Sequence, residues 1–231
     1  MAGITNFKGK LVKKRYLAPD IVLLSFKLDK DFTFKAGQYI MINISNGDET
    51  KAKPYSVFSP PSQKETLDLC VKIVDGGFAS EVFDKVEEGK EFDMKGPFGR
   101  FIFDENNKKS VQFFIGVGTG IAPLHSMIKE YMSKYPNKKF KLLFGARTRK
   151  DLVFHEEFLK MEEENDDFEY IPTITREEWE GRQGRIQQHL EGDLSDTKFY
   201  LCGLKDMVLT TKELLIEKGV NPENIKFERY S

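Results

Sequence analysis

Residues 111–130 pass from an apolar run, Val-Gln-Phe-Phe-Ile, through glycines at 116, 118 and 120 into a helical pattern. Few folds admit that order. Three alternating glycines let the backbone turn sharply and come close to a ligand with no Cβ in the way. Pro123 suits a first helical turn, where its missing N–H has no partner to lose. The free N–H groups and positive end of the new helix then face whatever the glycines admit, and an anion is the natural guest. Gly116-Val117-Gly118-Thr119-Gly120-Ile121-Ala122-Pro123 therefore reads as a strand–loop–helix phosphate cradle. The third glycine falls one residue too early for the spaced G-x-G-x-x-G dinucleotide fingerprint.

The rest of the chain bounds what such a cradle can serve. With 231 residues there is room for two domains. Basic residues number 36 and acidic residues 37, so no overall field points to nucleic acid or to a membrane surface. No apolar stretch approaches the ~20 residues of a bilayer helix. The first residues lack the apolar segment of a secretory signal. Two cysteines, Cys70 and Cys202, stand far apart, which argues against a disulfide framework, a zinc site or a built-in iron–sulfur cluster. His125, His155 and His189 are scattered, with no metal-binding spacing. These features predict a soluble cytoplasmic protein with no metal.

Residues 1–107 are strand-rich. β-branched and aromatic runs at about 6–16, 21–28, 38–45, 54–58, 67–74 and 91–95 alternate with turn residues, with one short helix near Ala79–Lys85. Six such strands predict a small antiparallel barrel. Tyr39–Ile44 reads as a strand buried on both faces. Lys8, Lys10, Lys13, Lys14 and Arg15 read as an edge strand kept soluble by charge, ahead of a docking surface for an acidic partner. Two stretches exceed what a barrel needs. Lys53-Pro54-Tyr55-Ser56 sets a cation, an aromatic ring and a hydroxyl in four residues; on a strand, Lys53 and Tyr55 share a face. Asp75-Gly76-Gly77-Phe78-Ala79-Ser80 is a glycine pair opening a helix, a second anion cradle. Gly96–Phe101 reads as closing turns, and Asp104–Ser110 as a polar linker.

From 108 to 231 strands and helices alternate. Strands are expected at 111–116, 139–145, 168–174, 197–202 and 225–229, and helices at 123–134, 154–164, 184–190 and 206–218. This predicts a parallel five-stranded α/β sheet with flanking helices, whose ligands bind at the carboxyl ends of the strands. Those ends carry Gly116–Gly120, Gly145-Ala146-Arg147, Thr173–Arg176, Cys202-Gly203 and Glu228–Tyr230. The fold class is thus two domains, an N-terminal antiparallel six-stranded β-barrel over 1–107 and a C-terminal parallel α/β domain over 108–231.

Taken together and in order, these motifs resemble the ferredoxin–NADP reductase superfamily, a flavin-binding barrel followed by a pyridine-nucleotide domain. Lys53-Pro54-Tyr55-Ser56 stands at the family's Arg-x-Tyr-Ser/Thr motif, which implies Lys53 on the flavin phosphates, Tyr55 on the isoalloxazine and Ser56 near N5. Gly76, Gly77, Phe78, Ala79 and Ser80 resemble the second phosphate segment, and Cys70, Val71 and Lys72 the strand along the flavin. Gly116, Gly118, Thr119, Gly120 and Pro123 resemble the pyridine-nucleotide pyrophosphate loop. Cys202-Gly203 matches the family's Cys-Gly pair near the nicotinamide. Phe227-Glu228-Arg229-Tyr230 is similar to the terminal motif in which Glu assists at the active site and Tyr covers the flavin. Thr175 and Arg176, with Arg147 and Arg185, resemble the residues that take the 2′-phosphate of NADPH. Lys53 for arginine loses the planar fork, and Ser231 displaces the terminal carboxylate by one residue.

The resemblance implies FAD rather than FMN, NADPH ahead of NADH, and hydride transfer from nicotinamide C4 to flavin N5 among Ser56, Thr119 and Cys202. Ser56, Cys202, Glu228 and Tyr230 are the implied catalytic set. Electrons then pass singly to a ferredoxin or flavodoxin, or flow in reverse. The alternatives are a free-flavin reductase, the reductase component of an oxygenase, and a non-catalytic nucleotide-binding regulatory module.

Overall fold

The computed structural model describes residues 3–230. The chain divides into two compact units. One comprises the residues up to Phe103 together with His125–Glu130; the other comprises Asp104–Leu124 and the residues from Tyr131 onward.

The first unit holds β1 (Thr5–Ala18), β2 (Ile21–Leu28), β3 (Tyr39–Asn46), β4 (Glu49–Ser56), β5 (Leu67–Lys72), α1 (Phe78–Lys85) and β6 (Glu91–Phe98). The six strands form one antiparallel sheet in the order β4-β3-β6-β1-β2-β5. Its two edges meet at a bridge between Val57 and Leu69, so the sheet curls back on itself as the barrel reading expects. Register shifts in β1, between Leu11 and Lys13 and between Tyr16 and Ala18, add the local twist that such curling needs. Phe7, Leu11, Leu24, Phe26, Ile40, Ile42, Ile44 and Phe83 fill the interior. Each such side chain contributes roughly 1.5–3 kcal/mol by leaving water.

Four expectations change here. β1 is no edge: it pairs with β6 on one side and β2 on the other. Its lysines are outward residues of a one-sided sheet, since Phe7, Gly9 and Leu11 take the inner face. β3 is buried on one face only, with Ile40, Ile42 and Ile44 inside and Asn43 exposed. β4 starts at Glu49, earlier than its polar sequence suggests. Gly96-Pro97-Phe98 continues β6, and the turn follows it.

His125–Glu130 joins this unit through polar bonds to the segment after β4. The His125 ring stacks on Phe58, with centroids 3.8 Å apart, and its Nδ1 lies 3.1 Å from the Phe58 carbonyl oxygen. Ser126 Oγ donates to the Ser59 carbonyl and Glu130 accepts from the Ser62 N–H, both at 2.8 Å.

The second unit holds β7 (Val111–Val117), α2 (Ile121–Tyr131, whose middle clusters with the first unit), β8 (Lys139–Ala146), α3 (His155–Glu164), β9 (Phe168–Ile174), β10 (Arg182–Gln183), β11 (Thr197–Leu204), α4 (Lys205–Glu217) and β12 (Ile225–Tyr230). Every pairing is parallel, in the order β10-β9-β8-β7-β11-β12. The sheet has six strands rather than the expected five, because the two-residue β10 adds to β9. The predicted helix at 184–190 is only a 3₁₀ turn, Ile186–His189. Gly184 takes φ +109° and Arg185 is extended, which bars an earlier helical start. Asp104–Ser110 is less a linker than a strap fastened to this unit, by Asp104 N–H to Tyr200 Oη at 3.1 Å and by Asn107 to Gln112 in both directions at 3.1 Å. Among the described residues no helix is long and apolar enough to cross a membrane.

Candidate functional site

In the first unit, the four-residue motif ends β4. Pairing with β3 sets Tyr55 opposite Ile40 and Ser56 opposite Tyr39. Lys53 and Tyr55 are half-buried on one face, while Ser56 points into the buried side. The Tyr55 ring meets Phe83 of α1 edge-on, 5.5 Å between centroids, and burial pushes its phenol up to about 12. It is therefore a neutral, oriented aromatic surface at any physiological pH. Cys70 is buried in β5 and burial pushes its thiol up to about 12, as suits a packing residue.

The second cradle opens α1. Gly76 takes φ +67°, a conformation glycine reaches without strain, and nothing lies within 4 Å of where its Cβ would be. Gly77, the N-cap, supplies no side-chain cap to the helix. Ser80 Oγ instead accepts the Val74 N–H at 2.9 Å, holding the loop shut behind the glycines. The uncapped start of α1 thus follows an open position at Gly76, with Lys51 of β4 over its first residue, Phe78. By charge, such a helix start suits a phosphate group.

In the second unit the sequence's alternating glycines lie at the topological switch of the sheet. From β7, the order runs through β8, β9 and β10 on one side and β11 and β12 on the other. Gly118–Gly120 forms a 3₁₀ turn with no side-chain cap, and α2 follows at once. Gly118 has φ +53° and open space before it. Gly120 is the reverse case. A Cβ there would stand 2.3 Å from the Cys202 carbonyl oxygen and 2.6 Å from its carbon. The loop and β11 touch backbone to backbone, which only glycine permits. This cradle suits a pyrophosphate, as the open α/β sheet rule expects.

β11 and β12 bring the remaining residues together. Their parallel register pairs Cys202 with Glu228 and Leu204 with Tyr230. The Cys202 thiol is fully buried. Burial raises its pKa well beyond the ordinary thiol range; the nearby Glu228 carboxylate raises it further, while hydrogen bonds from Tyr230 and the Gly203 backbone oppose. It stays a neutral thiol and is no nucleophile.

The arginines gather at the ends of β8, β9 and β10. The Arg147 carbonyl accepts both the Thr175 and Arg176 N–H groups, at 3.3 and 2.8 Å. The Gly184 N–H donates to the Ile174 carbonyl at 2.9 Å, placing Arg185 just beyond the same rim. Thr173 Oγ1 donates to the Gly184 carbonyl at 2.8 Å and lies 3.0 Å from His189 Nε2. Since the hydroxyl's proton is already committed, Nε2–H of His189 is the donor to it. Arg147, Arg176 and Arg185 are exposed, and among the described residues none is held in an ion pair. Arg149 is, with Glu180 at 3.6 Å. One cation unmarked by the motif, Lys51, shares the face of Lys53 and Tyr55. Among the described residues no group of three His, Cys, Asp or Glu is placed to hold a metal.

Comparison with known proteins agrees on both halves. Residues 8–103 match the oxidoreductase FAD-binding domain and residues 114–213 the oxidoreductase NAD-binding domain. The chain is 33% identical over 239 residues to ferredoxin–NADP reductase B of Sorangium cellulosum, covering 97% of each. It is 28% identical over 236 residues to the reductase component of phenol 2-monooxygenase from Pseudomonas sp. (strain CF600), covering 98% of this chain but 66% of that one. Its fold matches the Amycolatopsis cytochrome P450 reductase with a TM-score of 0.91 at 24% identity, over 98% of this chain and 70% of that one. The chain belongs to the ferredoxin–NADP reductase superfamily and is an NAD(P)H-dependent flavin oxidoreductase with FAD- and nucleotide-binding domains.

Proposed function

We propose that the protein carries electrons between NADPH and a small one-electron carrier such as a ferredoxin or flavodoxin. Bound FAD supplies the redox chemistry, taking two electrons as hydride and giving them up singly. The chain's own residues bind and orient. Lys53 and the first amides of α1 hold the flavin phosphates, Tyr55 gives the isoalloxazine a neutral ring, and Ser56 offers a hydroxyl. Strand β5, through Cys70, Val71 and Lys72, lies along the flavin. Gly118, Thr119, Gly120 and the start of α2 hold the nucleotide pyrophosphate. Cys202 keeps the nicotinamide floor small and uncharged, and Glu228 and Tyr230 assist the hydride transfer.

One observation carries the choice of NADPH. Three exposed guanidiniums, Arg147, Arg176 and Arg185, with no ion-pair partner among the described residues, stand on one rim where Thr175 and Arg176 are tied to Arg147. Guanidinium is the favoured fork for a phosphate monoester. The likeness to ferredoxin–NADP reductase B over nearly both full chains supports the carrier. A second reading, the reductase component of an oxygenase, is favoured by the phenol 2-monooxygenase relative, of whose length the chain spans about two thirds.

An anaerobic assay of NADPH oxidation with ferredoxin, flavodoxin and free FMN as acceptors tests the proposal. A carrier protein should outpace free FMN; the fastest turnover with free FMN, with flavin lost on gel filtration, would favour a free-flavin reductase. In the same assay Arg176→Ala should raise KM for NADPH roughly tenfold, the worth of one charge-assisted phosphate contact, and leave KM for NADH unchanged. Equal effects on the two nucleotides would refute the assignment.

A further inference from the structure

β4 alternates strictly: Lys51, Lys53 and Tyr55 are half-buried, while Thr50, Ala52 and Pro54 are exposed. The three thus share one face. Two of them meet α1 at different points. The Lys51 ammonium stands over the ring of Phe78, the first residue of α1, 4.4 Å from its centroid. Tyr55 meets Phe83, five residues further along. β4 therefore lies beside α1 with Lys51 level with the uncapped first turn. Lys53 falls between Lys51 and Tyr55. The Lys51 ammonium also contacts Glu49 Oε1 at 2.9 Å, and both side chains remain substantially in water.

We propose that Lys51 is a second phosphate-binding cation of the flavin seat. With Lys53 and the α1 amides it makes a seat for a diphosphate rather than a monophosphate, and so selects FAD over FMN. The proposal rests on the flavin seat described above. A single lysine is a point charge and cannot grip two phosphates as a forked guanidinium does. A second ammonium two residues earlier on the same face supplies the missing charge, and the aromatic ring beneath it limits where it can go. Glu49 competes for the same ammonium and sets the binding below its maximum.

The test uses the full chain freed of flavin and titrated with FAD, FMN and riboflavin, following quenching of flavin fluorescence. Lys51→Met keeps the apolar stem over Phe78 and removes only the charge. It should weaken FAD binding about tenfold, from one lost charge-assisted contact partly screened by water, weaken FMN binding less than threefold, and leave riboflavin unchanged. Glu49→Gln should tighten FAD binding two- to threefold by freeing the ammonium. Unchanged FAD affinity in Lys51→Met, or equal losses for all three flavins, would overturn the proposal. Lys51→Arg, which restores the charge, should recover the affinity; failure to do so with an unchanged melting temperature would also count against it. A parent chain that binds no flavin removes the seat itself, and this proposal with it.

Discussion

Gly120→Ala should leave the flavin bound and stop the nucleotide from delivering its hydride. The new Cβ would meet the Cys202 carbonyl oxygen at 2.3 Å, its carbon at 2.6 Å and the Gly203 Cα at 2.8 Å. All three are backbone atoms, so no rotamer change relieves the clash. To reach van der Waals distance, the 3₁₀ turn and β11 must part by about 1 Å. Overpacking of this kind typically costs about 1–3 kcal/mol. The displacement falls on the turn that starts α2 and on Cys202, which pairs directly with Gly116. A misplacement of ~1 Å at a reacting pair can cost on the order of 100-fold in rate. Stopped-flow mixing with NADPH should therefore show flavin reduction at least ~100-fold slower, while the visible spectrum before mixing is unchanged. A rate within threefold of the parent would mean that the loop does not set the nucleotide.

Asp104→Ala should produce the larger loss of stability. Lys198 is 5% exposed, with its ammonium 3.1 Å from Asp104 Oδ2 and donating to the Glu223 carbonyl at 2.7 Å. Removing the carboxylate strands a buried charge, which costs about 3–5 kcal/mol. The surviving bond to Glu223 places the expected loss near ~3 kcal/mol. Asp104→Ala combined with Lys198→Met removes the stranded charge and should recover most of it. Burial by itself would raise the Asp104 pKa, but the Lys198 hydrogen bond and charge, the Lys226 charge and the Asn106 amide together hold it below the ordinary carboxylate value. Its contribution is thus full above the unfolded carboxylate pKa of about 4 and is lost as pH falls through the lower folded value. Urea unfolding of the second unit from pH 7 down to 3 checks both points. The single variant should show a flatter acid limb, and a double variant no more stable than the single would contradict the account.

Sequence made the scaffold legible where period and punctuation were strong. The strands at 21–28 and 168–174 lie where their runs place them, and both glycine cradles open helices. It misled where one pattern has two physical causes. Lysines alternating with apolar residues suit an edge strand, and equally the wet face of an interior strand such as β1, which neighbours decide. The start of β4 is silent in the sequence because Glu49, Thr50 and Ala52 lie outside the core and carry no apolar signal. β10 is two residues long, too short to show a period. The meeting of Cys202 with Glu228, and of Arg147 with Arg176, depends on strand register and order, which local sequence does not encode. Lys51 carried a readable signal, the same-face spacing to Lys53, but its place beside α1 required the fold.

The most direct test mixes the purified flavin-loaded protein with NADPH in the absence of oxygen and follows the visible absorbance of the flavin. One equivalent of NADPH should bleach the bound flavin, and the colour should return when a one-electron carrier is added. Bound flavin that keeps its colour with both NADPH and NADH would contradict the proposed function.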